Sequence, residues 1–132
     1  MLEQALFIKL TGDSTVNGMV SGRVYPLLAP EPPTYPFIAY TVVSQTRYSA
    51  MGADISPRRR RVQVDCYGKT AADARNLAAA VENALVRFQG TVSWTGGSLV
   101  IEDIYQTGLT DLFDFETRKF KRAVDLDIVF DG

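Results

Sequence analysis

"RRRVQVDCYGKTAADARNLAAAVENALVRF", Arg59 to Phe88, decides the fold class, because its hydrophobic period changes partway along. From Arg59 to Tyr67 the residues alternate. Val62, Val64 and Cys66 point one way, and Arg61, Gln63, Asp65 and Tyr67 point the other. A period of two is that of a half-buried β-strand. From Thr70 the period lengthens to that of a helix. Thr70 and Asp73 form a variant capping box. Behind it Ala74, Leu77, Ala78, Val81, Leu85 and Phe88 make one apolar stripe, with Asp73, Arg75, Asn76, Glu82, Asn83 and Arg87 on the remaining faces. Alanines on this helix allow close approach to a sheet, and Gln89-Gly90 ends it.

Upstream, Phe37 to Tyr48 (FIAYTVVSQTRY) is rich in β-branched and aromatic residues and is expected to be a long strand. SAMGADISP follows, with Gly52 and Pro57 as breakers, so these two strands are expected to form an antiparallel hairpin with a long tip. Arg23 to Pro36 holds five of the six prolines and reads as a stiff, extended connector. Before it, Leu2, Ala5, Leu6 and Leu10 fall at helical spacing, ended by Thr11-Gly12. Asp13 or Ser14 can cap a second short helix through Val16, Met19 and Val20, ended by Ser21-Gly22.

Downstream, Leu99 to Tyr105 and Lys119 to Phe130 are strand candidates. In the second, Phe120, Val124, Leu126, Ile128 and Phe130 share a face that Arg122 interrupts. Gly96-Gly97 reads as a turn, and Thr110 to Thr117 (TDLFDFET) reads as a loop. The expected fold is α+β. Short N-terminal helices lead into a four-stranded, largely antiparallel ββαββ sheet with one long helix packed on it. One domain is expected over residues 1–132: a helical N-terminus (1–22), the proline-rich connector (23–36) and the ββαββ core (37–132).

Composition narrows the function. The chain of 132 residues has 14 basic and 15 acidic side chains, a formal net charge of −1, without the basic excess of a dedicated nucleic-acid binder. It has no histidine and one cysteine, so neither a histidine base nor the usual zinc ligand sets can be assembled. Cys66 falls on an apolar strand face, as a small packing residue does. No cofactor or metal is expected, and no enzyme. Asp111/Asp114 or Asp125/Asp127 could be proposed as acid and base, but Asp125 and Asp127 lie on the polar face of a strand, where solvated acids are ordinary. No apolar run is long enough to span a bilayer. The N-terminus lacks a basic region and cleavage site, so an intracellular product without targeting signal is expected.

Arg58 to Arg61 enter a strand, so their side chains alternate between its faces. Three readings stand. They guard a strand edge against aggregation, they meet acids on another subunit, or they grip nucleic acid together with sheet aromatics such as Tyr40, Tyr48 and Tyr67. The subunit reading has a counterpart in Asp111, Phe113, Asp114 and Phe115, whose charge and apolar surface would suit a head-to-tail contact. Arg47, Tyr48, Arg58, Arg59 and Arg60 are the candidates on the other side.

The order of features also resembles a known family. Arg23-Val24-Tyr25-Pro26, then Tyr35-Pro36-Phe37-Ile38-Ala39-Tyr40, then Arg61 to Gly68 (RVQVDCYG) and the alanine-rich helix after Lys69-Thr70 are similar to the phage tail-completion family. These are small tail-terminator or head–tail joining proteins of long-tailed phages and prophages. The resemblance implies a structural virion protein at the head-proximal end of the tail, assembled in the host cytoplasm. It would form a homo-oligomeric ring, typically a hexamer, that ends tail-tube polymerisation and docks the head connector. Its partners would be the tail tube protein and the connector protein. DNA would pass through without specific binding, no membrane would be involved, and Asp125 and Asp127 would be acids facing the lumen. The rival expectation is a small nucleic-acid-binding α+β domain, and a hydrolase using paired acids is a third.

Overall fold

The computed structural model describes residues 2–27, 29–30, 32–50, 53–114 and 118–131, with the backbone alone at 43–50, 53–58 and 114. Two helices open the chain. Helix α1 (Leu2–Gly12) buries Leu2, Ala5, Leu6 and Leu10. Helix α2 (Ser14–Val20) is capped by Asp13, whose Oδ1 accepts from the N–H groups of Thr15 and Val16 at 3.0 Å each. It ends at Ser21, in the left-handed region with φ 50°. There Asn17 accepts twice, its carbonyl from Ser21 N at 2.7 Å and its side-chain oxygen from Gly22 N at 2.8 Å. These bonds satisfy donors and acceptors that a short helix otherwise leaves open.

Among the described residues six strands follow: β1 (Val24–Pro26), β2 (Phe37–Ala50), β3 (Ala53–Gly68), β4 (Gly90–Trp94), β5 (Gly97–Asp114) and β6 (Lys119–Asp131). Helix α3 (Ala71–Leu85) lies between β3 and β4. The strands form one sheet in the order β1-β2-β3-β6-β5-β4. β1 runs parallel to β2, and all other neighbours are antiparallel. Gly68 lets β3 run directly into α3, because a Cβ there would stand 2.7 Å from the Ala74 nitrogen. Thr70 caps α3 through its Oγ1, which accepts from Asp73 N at 3.1 Å.

The core forms where the helices cover the middle of the sheet. Val62, Val64 and Cys66 of β3 and Val124, Leu126 and Ile128 of β6 are fully buried, sharing one cluster with Leu6, Leu10, Val20, Leu77, Val81 and Leu85. Both strands present these residues on the same face, since Val62 pairs with Leu126 and Val64 with Val124. Burial of this many aliphatic side chains is the main term holding the fold together.

The expected four-stranded sheet carrying one long helix is therefore corrected to a six-stranded mixed sheet with three helices. Both N-terminal helices pack into the same core as α3. Two short strands were not expected. β1 lies inside the proline-rich connector, where Pro26 is tolerated because the strand is at an edge. β4 pairs with the start of β5 through a two-residue turn at Thr95–Gly96, with Gly96 at φ 97°. Thr110–Asp114, expected in a loop, continues β5 and pairs with β6 as far as Asp114–Lys119. The hairpin strands also extend further than expected, to Ala50 and from Ala53.

Candidate subunit interface

The pairing of β2 with β3 places the arginines. Arg47 stands opposite Arg58, Thr46 opposite Arg59 and Gln45 opposite Arg60, while Tyr48 pairs with Ile55. The side chains of Arg47, Tyr48 and Arg58 lie outside the described residues. Arg60 is on the helix-covered face with Val62 and Val64, and its Nη1 stands 3.7 Å from Glu3 Oε1 of α1. Arg59 and Arg61 are on the opposite face. Arg61 Nε meets Asp127 Oδ1 at 3.5 Å. Arg59 is different, because its Nε is buried without a hydrogen-bond partner. A buried donor left unpaired is costly. The arginine run is thus split: one arginine faces the core side, and two face away from it.

The acid and aromatic candidates sit at the other end of the sheet. Following the register, Arg58, Phe130 and Ile101 are level, and so are Cys66, Arg122 and Asp111. The two levels are eight residues apart on β3, or about 26 Å. Asp111 is held by Arg122, whose Nε and Nη2 donate to Oδ1 and Oδ2 at 2.6 and 2.9 Å. This charge-assisted hydrogen bond keeps the Asp111 carboxyl below the usual carboxylate range. Phe113 packs on its cross-strand neighbour Phe120, ring centroids 4.8 Å apart. Asp114 is placed by its backbone opposite Lys119, and Phe115 lies outside the described residues. Beside this end, Arg75, Phe113, Phe120 and Arg122 line a shallow groove of about 240 Å³ between the start of α3 and the ends of β5 and β6.

Asp125 and Asp127 lie on the face away from the helices, where Asp127 has a basic neighbour, Arg61, that the sequence reading did not pair with it. Beyond the Arg61–Asp127 contact, Lys121 Nζ stands 3.7 Å from Asp65 Oδ2. Asp65 also accepts from Gln63 Nε2 at 2.7 Å. That face is charge-balanced rather than acidic. The sheet tyrosines do not form the joint platform that the nucleic-acid reading expected, because Tyr40 and Tyr67 face opposite ways. Tyr40 is buried on the helix side and donates to the Glu3 carbonyl at 3.2 Å, and burial raises its pKa. Tyr67 stacks on Phe37 at 4.4 Å on the other face. Cys66 is buried, and desolvation raises its thiol pKa, so it is the neutral packing group expected. Among the described residues no group of His, Cys, Asp and Glu could hold a metal ion. No described helix is long and apolar enough to cross a membrane.

The mixed sheet thus carries two unlike ends, one with the arginines and one with Asp111 and Phe113. Sequence comparison is specific: residues 4–131 match the family described as "Tail completion protein gp17", and the chain belongs to that family. It is a structural protein of the phage tail, located in the virion. Among curated proteins no sequence match is found. A solved chain from the virion of a native gene transfer agent particle superimposes with a TM-score of 0.80 at 16% identity, covering 99% of this chain and 95% of that one. A second solved chain aligns with a TM-score of 0.60 at 15% identity, covering 99% and 94%. At these identities the likeness is one of fold.

Proposed function

We propose that the chain acts as a single domain that forms a homo-oligomeric ring, a hexamer, at the head-proximal end of the tail tube. There it stops tube polymerisation by covering the surface where the next tube ring would add, and it offers its other side to the head connector. The observation that carries this reading, beside the family, is the separation of two unlike surfaces. The arginine-bearing hairpin end and the end holding Asp111, Phe113 and Asp114 lie on opposite ends of one sheet. Surfaces that differ and sit apart favour head-to-tail contacts, which close into rings. Each contact can be modest, because a closed ring shares several.

Arg59 is the interface arginine of choice, because Arg60 is turned to the helix-covered face and already has Glu3. Arg47, Tyr48, Arg58 and Arg60 lie in the same region of the hairpin. The face bearing Asp125 and Asp127 lines the lumen, and its balance of charge would leave DNA free to slide. The chain purified alone should show a light-scattering mass near six copies, and adding it to growing tail tubes should shorten them and leave a ring at one end in electron micrographs. Arg59→Glu should weaken assembly while the monomer stays folded by circular dichroism. A stable dimer at every concentration, with no effect on tube length, would sink the reading.

A further inference from the structure

The sheet leaves two strand edges open, and they are complementary. β1 covers the outer edge of β2 only at Ile38–Tyr40, and β4 covers the outer edge of β5 only at Gly97–Ile101. Among the described residues no strand pairs with the outer edge of β2 from Thr41 to Ala50, or with that of β5 from Tyr105 to Asp114. Each is a ten-residue row of peptide groups able to template another strand. Tyr105, Leu109 and Leu112 beside the β5 row are 40%, 45% and 48% exposed, unusual for large apolar side chains grouped on one strand. The β5 row carries Asp111 and Asp114, and the β2 row carries Arg47.

Resting on the ring reading, we propose that the subunits are joined by β-sheet pairing. The free edge of β2 in one copy hydrogen-bonds antiparallel to the free edge of β5 in the next, so the sheets fuse into one closed wall. Backbone hydrogen bonds show which peptide groups are available. Leu27 N donates to Tyr40 O, and Arg87 N donates to Ile104 O, so Tyr40 and Ile104 turn their peptide groups outward. Alternation along the strands, corrected for the irregularities between Val42 and Ser44 and between Gln106 and Gly108, makes Gln45 and Arg47 outward on β2, and Leu109, Asp111 and Phe113 outward on β5. The register that joins outward groups and centres the two rows sets Arg47 opposite Leu109 and Gln45 opposite Asp111. Thr46 then faces Thr110 as a non-hydrogen-bonded pair.

Barrel geometry supports this pairing independently. The open rows lie at opposite ends of the sheet, because Thr46 is level with Arg59, Val129 and Asp103, not with Thr110. Joining them shifts the chain by about six residues, ~20 Å, over four strand spacings of ~19 Å. The strands would then incline about 45° to the ring axis, close to the usual tilt of closed sheets. The hand also agrees. Seen from the helix side with β2 running up, the outward peptide groups of Ile38 and Tyr40 put β1 on the right, so the β2 row is upper right and the β5 row lower left. Their junction gives strands rising to the right, the right-handed coil that twisted strands take, provided the helices are outside and the face bearing Asp125 and Asp127 is inside.

The test is a disulfide between the facing positions. A Thr46→Cys, Thr110→Cys double variant, mildly oxidised, should give a ladder of linked chains ending at the closed ring on a non-reducing gel, since a non-hydrogen-bonded pair has Cα atoms ~4.5 Å apart, within disulfide range. Neither single variant should give the ladder, and buried Cys66 should not take part. Light scattering on the unoxidised protein, alone and with tail tubes, is run in parallel. A ring by mass with no ladder would overturn the edge pairing and leave the ring standing. Linked pairs that stop at two chains, with no ring by mass, would overturn both.

Discussion

The middle of the sheet and its outer strands are built from similar residues and meet opposite fates. On β3 and β6, Val62, Val64, Val124, Leu126 and Ile128 are wholly enclosed under three helices. On β5, Leu109 shares a face with them by register, opposite Val124, yet it is nearly half exposed. The difference lies in coverage, not strand chemistry. Helix α3 packs on β3 and β6, leaving an open groove beside the far part of β5, and β4 pairs with β5 only as far as Ile101. The covered half holds the monomer together, and the uncovered half is the surface proposed to meet a neighbour.

Substitutions can break this contrast or sharpen it. The largest effect should come from Leu126→Ala, which empties a fully buried site and should cost about 2–5 kcal/mol in urea unfolding. Leu109→Ala on the same face should change monomer stability by no more than about 0.5 kcal/mol. If the two cost the same, the division fails. Leu109→Pro removes an outward N–H and spares the ladder to β6. The chain should stay folded, while assembly followed by light scattering shifts to roughly tenfold higher protein concentration, the worth of about one hydrogen bond per contact.

A third effect concerns alkaline pH and the covered half alone. The buried Cys66 thiol has its pKa raised by desolvation above the unfolded value. Its contribution is therefore complete below about pH 8.5 and is lost as pH rises beyond it, by up to about 1.4 kcal/mol per unit. Cys66→Ala should flatten that decline between pH 8.5 and 9.5, measured by unfolding at each pH. The smallest effect belongs to the uncovered half. Asp111 is held below the ordinary carboxylate range by the Arg122 hydrogen bond, so its contribution is present above about pH 3.9 and disappears as pH falls through the depressed value. The pair is exposed, so Asp111→Asn should cost less than about 1 kcal/mol at pH 7 and should make the acid limb shallower.

Local chemistry was enough to read part of this molecule. The Thr70 cap, the stripe from Ala74 to Leu85 and the alternation of Val62, Val64 and Cys66 are set by neighbours within a few residues, and all three appear as expected. So does the split of the arginines between faces, which follows from the period of a strand. Helix α3 ends at Leu85, short of the expected Phe88, because Val86 leaves helical geometry and Arg87 adopts φ 66°. β1 was hidden by its prolines. β4 and the far half of β5 were hidden by weak patterns, with Gly, Ser and Asp interrupting short runs of strand formers. Those segments are strands because distant partners pair with their peptide groups: Ile38–Tyr40 for β1, the start of β5 for β4, and β6 for Thr110–Asp114. The sequence by itself determined the helix, the central alternation, the lack of histidine and the likeness to tail-completion proteins. Which edges are covered, which face Arg60 takes and how far apart Arg59 and Asp111 stand were decided only by the tertiary structure. Register between strands far apart in the chain is a cooperative property of the packed sheet, and no local window contains it.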